Sequence, residues 1–163
     1  MHDRRAGHRL SFALLLLLGA GAGPASADLT VFAGHATPDR VTPGAALGIA
    51  LRPVGLEFEY AGMPSAGSDS EPARQTGLFN LVFGAPLDGR RRLELYGAVG
   101  GGLYRERTGT HARTDLAAGA GAGVNISLRG PLRLRIDYRL LVLRGARVDR
   151  RPRRVYAGLN LPF

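Results

Sequence analysis

Leu132, Leu134, Ile136, Tyr138, Leu140 and Val142 alternate with Arg133, Arg135, Asp137 and Arg139. A period of two belongs to a β-strand, whose successive side chains leave opposite faces. A helix would smear these charges around its circumference. The segment therefore predicts a strand with one wholly apolar face and one strongly charged face. Whatever the chain folds into must find an apolar medium for the first face and partners for the second.

The same alternation recurs along the chain, giving eight predicted strands: Leu29–His35, Ala45–Arg52, Val54–Gly62, Thr76–Gly84, Arg92–Arg105, Asp115–Leu128, Leu132–Leu143 and Arg154–Phe163. No stretch among them carries a helical period. Several reach the roughly 9–11 residues that a tilted strand needs to cross a bilayer. Their connections alternate in length. Tight turns are expected at Pro53, at Ala85–Arg90 and at Arg129-Gly130-Pro131, where Gly and Pro dominate. Longer polar connections are expected at Ala36–Gly44, Met63–Gln75, Glu106–Thr114 and Arg144–Arg153. Short turns on one side and long loops on the other mark transmembrane barrels.

The N-terminus reads as an export signal. Arg4, Arg5 and Arg9 precede an apolar run from Leu10 to Leu18, and Ala25-Ser26-Ala27 supplies small residues for cleavage. This divides the chain into a signal peptide, 1–27, and a β-barrel domain, 28–163. The mean hydropathy of −0.03 is compatible with a membrane barrel, which shows only half its strand residues to lipid. The chain has no Cys, so disulfides and thiolate metal sites are excluded. The 22 basic residues are all Arg against 13 acidic ones. A compositional bias toward Arg is the bland reading of that excess. The export signal argues against a nucleic-acid partner.

Alternation alone does not say which face is inside. The loop pattern, the export signal and the last strand favour lipid outside and charge inside. On that assignment Leu56, Phe58 and Tyr60 face lipid, and Glu57 and Glu59 face the lumen. Phe79, Leu81 and Phe83 likewise alternate with Leu78, Asn80 and Val82. The fifth strand points Glu94 and Tyr96 inward, but Gly97–Gly102 blurs its register. In a closed eight-stranded sheet the third and seventh strands lie opposite each other. Glu57, Glu59 and Glu94 are thus expected to meet Arg133, Arg135, Asp137 and Arg139 in an ion-pair network blocking the periplasmic half of the lumen. An eight-stranded interior is narrow enough for side chains to fill. A proton or ion path is the alternative reading of these charges.

The last strand carries Val155, Ala157, Leu159, Leu161 and Phe163 on one face. With Tyr156, Gly158, Leu161 and Phe163 it resembles the closing-strand signal of bacterial outer-membrane β-barrels, which the barrel-assembly machinery reads. Together with the loop pattern, the region 28–163 resembles the small outer-membrane barrel family of the OmpA-transmembrane-domain and opacity-protein type. The resemblance implies an all-β fold: a closed, eight-stranded, antiparallel up-and-down transmembrane barrel. It implies a monomeric, non-enzymatic outer-membrane protein, without cofactor or metal, acting in envelope integrity, adhesion or surface interaction.

Two alternatives stay open: a lipid A-modifying enzyme and a soluble periplasmic barrel of lipocalin type. The lipid A deacylases on this scaffold pair a His with a Ser two residues later, so that the imidazole can activate the hydroxyl. Here His111 is followed by Arg113, and His35 by Thr37, so neither reproduces the motif. Arg144, Arg147, Arg150, Arg151 and Arg153, with Arg154 beside them, form an outer-loop cluster. Arg105, Arg107 and Arg113 add to it. Guanidinium groups bind phosphate bidentately, so the cluster is a candidate contact for outer-membrane lipid and lipopolysaccharide; a solvated basic loop is the competing reading.

Overall fold

The structure, a computed structural model, describes residues 26–37, 39–51, 54–65, 72–89, 92–147 and 149–163. Most of the export signal, the Pro53 junction and Arg90-Arg91 lie outside the described residues.

Eight strands follow one another: β1 (Ser26–Ala36), β2 (Arg40–Leu51), β3 (Val54–Met63), β4 (Ala73–Pro86), β5 (Leu93–Thr108), β6 (His111–Ser127), β7 (Arg133–Leu143) and β8 (Arg153–Pro162). Each pairs antiparallel with its sequence neighbour, and β1 pairs with β8, so the sheet closes into a barrel with no free edge. Closure runs from Ala36 opposite Arg154 to Asp28 opposite Pro162. It continues in two backbone bonds: Ala27 N–H to the Phe163 carbonyl at 3.1 Å and Phe163 N–H to the Ala27 carbonyl at 2.8 Å. Ala27, the last residue of the expected signal peptide, is thus part of the sheet.

The side chains sort by parity. On β7, Ile136, Tyr138, Leu140 and Val142 are exposed, whereas Arg135, Asp137, Arg139, Leu141 and Leu143 are buried. The exterior is apolar around the whole circumference; Phe79, for example, is 70% exposed. A water-soluble protein does not present such a continuous apolar surface. The parity of β5 runs unbroken through its glycines, from Tyr96 and Ala98 to Tyr104 and Glu106, all buried.

The connections differ from the sequence expectation. Strands β5 and β6 continue well past the apolar zone and meet in a two-residue turn at Gly109-Thr110, with Gly109 at φ 57°. The left-handed region that glycine enters freely is what a tight hairpin requires. The expected loop Glu106–Thr114 is therefore mostly strand. Similarly, β1 and β2 are joined by Thr37–Asp39 alone, with Asp39 at φ 59°. Ala85 and Pro86 of the expected tight turn Ala85–Arg90 still belong to β4, and the connection to β5 is longer than the β5–β6 turn. Loop-length sorting in the sequence partly reflects strands whose two faces are both polar once they leave the apolar layer.

Candidate functional site

Three layers fill the lumen. The first, at the end where β1 starts and β8 finishes, is a cup of about 410 Å3. Asp28, Glu94, Asn125, Arg133 and Asn160 line it, and Glu57, Tyr96 and Arg135 form its floor. Arg133 and Glu94 approach to 3.8 Å on its rim, each about a quarter exposed. The Asn160 amide donates to Asp28 and to the Thr30 hydroxyl, both at 2.9 Å.

The second layer is the charged one. Glu57 and Glu59 stand on one wall of the barrel, and Arg135, Asp137 and Arg139 on the opposite wall. Arg135 pairs closely with Glu57 through Nη1, while its Nη2 lies 3.5 Å from Asp137. Arg139 reaches three carboxylates: Glu59 at 3.1 Å, Asp137 at 3.3 Å and Glu57 at 3.4 Å. Arg154 pairs closely with Glu59. The Tyr96 hydroxyl donates to Asp137 and accepts from Arg135 Nε at 2.7 Å. Three guanidinium groups thus meet three carboxylates, with every one of the six residues at most 4% exposed. Buried charge is tolerated on these terms: paired and hydrogen-bonded.

Aromatic rings and small residues hold the charges in place. Arg135 lies over the Tyr96 ring at 4.5 Å, and Arg154 lies 5.5 Å from the Phe32 ring and 5.4 Å from the Tyr156 ring. Phe32 and Tyr156 stack at 4.1 Å between centroids. The inward glycines of β6 give these groups room. A Cβ at Gly123 would come within 2.5 Å of the Tyr96 hydroxyl, and one at Gly119 within 2.9 Å of Leu141. They serve packing, and the alternative of a void in the outer half does not arise there.

The third layer is apolar: Leu78, Tyr104, Ala117, Leu141, Leu143 and Ala146 cluster beyond Arg139. Above it, Arg74 and Glu106 make a second buried pair at 3.0 Å. The connection from Arg144 to Pro152 folds over this end. Arg144 N–H donates to the Leu116 carbonyl at 3.0 Å, and its own carbonyl accepts from the Tyr104 hydroxyl at 2.7 Å.

The sequence expectation and the structure differ in three places. The network lies deeper than expected: Glu57 and Arg135 form the floor of an open cup, and Arg139, Glu59 and Arg154 lie beyond them. Glu94 and Arg133 belong to the rim. Arg154, grouped with the outer-loop arginines, is inside and 1% exposed. It shares parity with Tyr156, Gly158 and Asn160, a signal masked by the run of arginines before it. Tyr156, grouped with the assembly signal, is also inside. Gly158 shares its inward parity, whereas Leu161 and Phe163 are exposed. Arg144, Arg147, Arg150, Arg151 and Arg153 are all exposed at the outer end.

The two histidines among the described residues, His35 and His111, do not meet a nucleophile. His35 Nδ1 lies 3.0 Å from Asp39. The nearby Thr37 hydroxyl donates to Asp149 at 2.7 Å and accepts the Arg153 backbone N–H at 3.0 Å. It is engaged on both counts, with no bond to the imidazole. His111 sits exposed at the far tip of β6. Among the described residues, no group of three or more His, Cys, Asp or Glu is placed to hold a metal ion.

No protein-family model matches the chain, and no curated protein matches it. Solved structures do. The N-terminal β-barrel domain of Pseudomonas aeruginosa OprF superposes with a TM-score of 0.65 at 13% identity, covering 85% of this chain and 97% of that one. Neisserial surface protein A, NspA, gives 0.63 at 15% identity, covering 85% and 96%. The outer membrane enzyme PagL gives 0.56 at 11% identity, covering 83% and 99%. The likeness is one of fold: the closed eight-stranded barrel is that of outer-membrane proteins.

Proposed function

We propose that the protein is a non-enzymatic outer-membrane barrel whose lumen is sealed and whose work is done by its outer surface, in envelope structure or surface interaction. The observation that carries this reading is the inversion of polarity. The chain turns its aliphatic and aromatic side chains outward over the full circumference and buries eight compensating charges inside. That arrangement lowers the free energy in lipid and raises it in water. It weighs against the lipocalin-type alternative, whose apolar face would line the interior. The seal has two parts, the ion-pair layer and the apolar layer beyond it, so the charges act as a plug.

The fold also carries an enzyme, PagL, and fold alone does not choose. The geometry at the histidines favours the non-enzymatic reading, because the one hydroxyl two residues from a His spends its bonds elsewhere. Cell fractionation tests the proposal. The protein should pellet with the outer membrane and migrate differently on SDS gels when unheated. Recovery in the soluble periplasmic fraction would overturn it.

A further inference from the structure

The lipid-facing stripes do not all end alike. On β5 the outward series Leu95, Val99 and Leu103 runs directly into Arg105 and Arg107. On β8 the series Leu161, Leu159, Ala157 and Val155 runs into Arg153. On β7 Leu140 and Val142 run into Arg144. The other stripes end without arginine: His35 on β1, Val41 on β2, Gly62 on β3, Gln75 and Ala73 on β4, and Thr114 and Ala112 on β6, which lies between β5 and β7. A compositional preference for Arg over Lys explains the residue type. It does not explain why the arginines close the stripes of three of the four strands β5–β8 and none of β1–β4.

These four arginines are exposed, and among the described residues none has a carboxylate within ion-pair distance. Their neighbours on the inward parity are engaged: Arg74 with Glu106, and Arg113 with Asp115 at 2.8 Å. The outward set therefore holds its charge in reserve. It also points sideways from the wall, toward whatever flanks the barrel, rather than up into solvent.

We infer that Arg105, Arg107, Arg144 and Arg153 form a phosphate-binding belt, which takes the phosphorylated headgroup of an outer-leaflet lipid against the β5–β8 side of the barrel. The inference rests on the outer-membrane reading proposed above and takes the end where β1 starts and β8 finishes as periplasmic, which puts the β5–β6 turn on the outer side. A lipid is chosen over a soluble polyanion because the guanidinium groups continue the lipid-facing stripes themselves. Acyl chains would lie along Leu103, Val142 and Val155, and the phosphates would meet the first cations beyond them. Bidentate guanidinium–phosphate bonds suit that site. The arginines of the covering loop, Arg147, Arg150 and Arg151, lie off the stripes and are not part of the belt.

The test uses the purified barrel in phosphatidylcholine nanodiscs, with diphosphoryl lipid A, phosphate-stripped lipid A and a heparin fragment as probes. Bound lipid per barrel is counted by native mass spectrometry. Diphosphoryl lipid A should be retained, and the triple variant Arg105→Gln/Arg107→Gln/Arg153→Gln should hold it about tenfold more weakly. The loop variant Arg147→Gln/Arg150→Gln/Arg151→Gln should hold it like the parent. Equal retention of phosphate-stripped lipid A would overturn the belt, as would loss of binding in the loop variant alone or displacement of the lipid by heparin. Orientation is read separately. The chain has no Cys, so Arg107→Cys gives a single thiol that an impermeant maleimide should label on intact cells. Labelling only after permeabilisation would overturn the orientation, and the leaflet with it. Loss of phosphate dependence with labelling intact would overturn the belt alone.

Discussion

Replacing Arg139 by Met gives the sharpest test of the plug. The side chain is 1% exposed and lies within 3.4 Å of Glu57, Glu59 and Asp137. Without it, three buried carboxylates face only Arg135 and Arg154. One negative charge is stranded in a space that water does not reach, at an expected cost of about 3–5 kcal/mol. The double variant Arg139→Met/Asp137→Asn removes one charge of each sign. It leaves Arg135 with Glu57 and Arg154 with Glu59, and an amide oxygen at 137 still accepts from Tyr96. Most of the loss should return; with the single variant Asp137→Asn completing the cycle, the coupling energy should be roughly 2 kcal/mol or more, within the upper range for residues of one network. Glu94→Gln is the control. Its partner is 3.8 Å away on an open rim, so the change should cost about 1 kcal/mol at most. The assay is urea titration of the barrel in phospholipid vesicles, with the folded fraction read from unheated gel mobility and far-ultraviolet circular dichroism. Additive losses in the two charge variants would refute the reasoning, as would an Arg139→Met variant within 1 kcal/mol of the parent. Either result would mean that the carboxylates are solvated and that the layer is not a dry plug.

Two further outcomes follow from the exterior and from the closure. Phe79→Arg puts a cation on the apolar wall at the middle of β4; it should cost about 2–4 kcal/mol near a bilayer midplane in the same vesicle titration, whereas an unchanged midpoint would indicate that this wall faces water. Deleting Phe163 removes the residue whose backbone makes two bonds to Ala27; insertion, read as the fraction of heat-modifiable protein in the outer membrane, should fall while export is unaffected, and normal insertion would show that the closing strand ends functionally at Leu161.

Legibility in the sequence followed contrast between the two faces of each strand. Where one face is aliphatic and the other charged, as from Leu134 to Val142, parity places every residue before any coordinate is known. Where glycine supplies neither, as from Gly97 to Gly102, the pattern vanishes although the strand does not. Where both faces are polar it vanishes for the opposite reason. Glu106 to Thr108 and His111 to Thr114 therefore look like a loop but belong to the longest hairpin of the barrel. Arg154 is the instructive case. It stands beside exposed Arg153 in a basic run, and only parity with Tyr156 marks it as inward. Arg74 and Glu106 could have been found the same way, by extending the inward series of Leu78 and Tyr104 past the apolar zone. Ring stacking of Phe32 on Tyr156 depends on the stagger between β1 and β8, which no single-strand pattern encodes.

The charge balance of the lumen bears on where function resides. Glu57, Glu59 and Asp137 offset Arg135, Arg139 and Arg154, and Glu106 offsets Arg74. Each of these two buried ion-pair layers is neutral. A pore selective for ions would keep an uncompensated charge along its path, and neither buried layer has one. The expected signal peptide, with three Arg and one Asp, accounts for 2 of the formal +9 and leaves +7; among the described residues the uncompensated cations lie outside the two ion-pair layers, on rims, turns and outer strand ends. On the outer end they include arginines that complete lipid-facing stripes and, among the described residues, have no carboxylate within ion-pair distance. Interior charges arranged to cancel and exterior charges left uncancelled are opposite solutions to the cost of isolated charge. The first is closed within the fold, and the second calls for an anion from outside it.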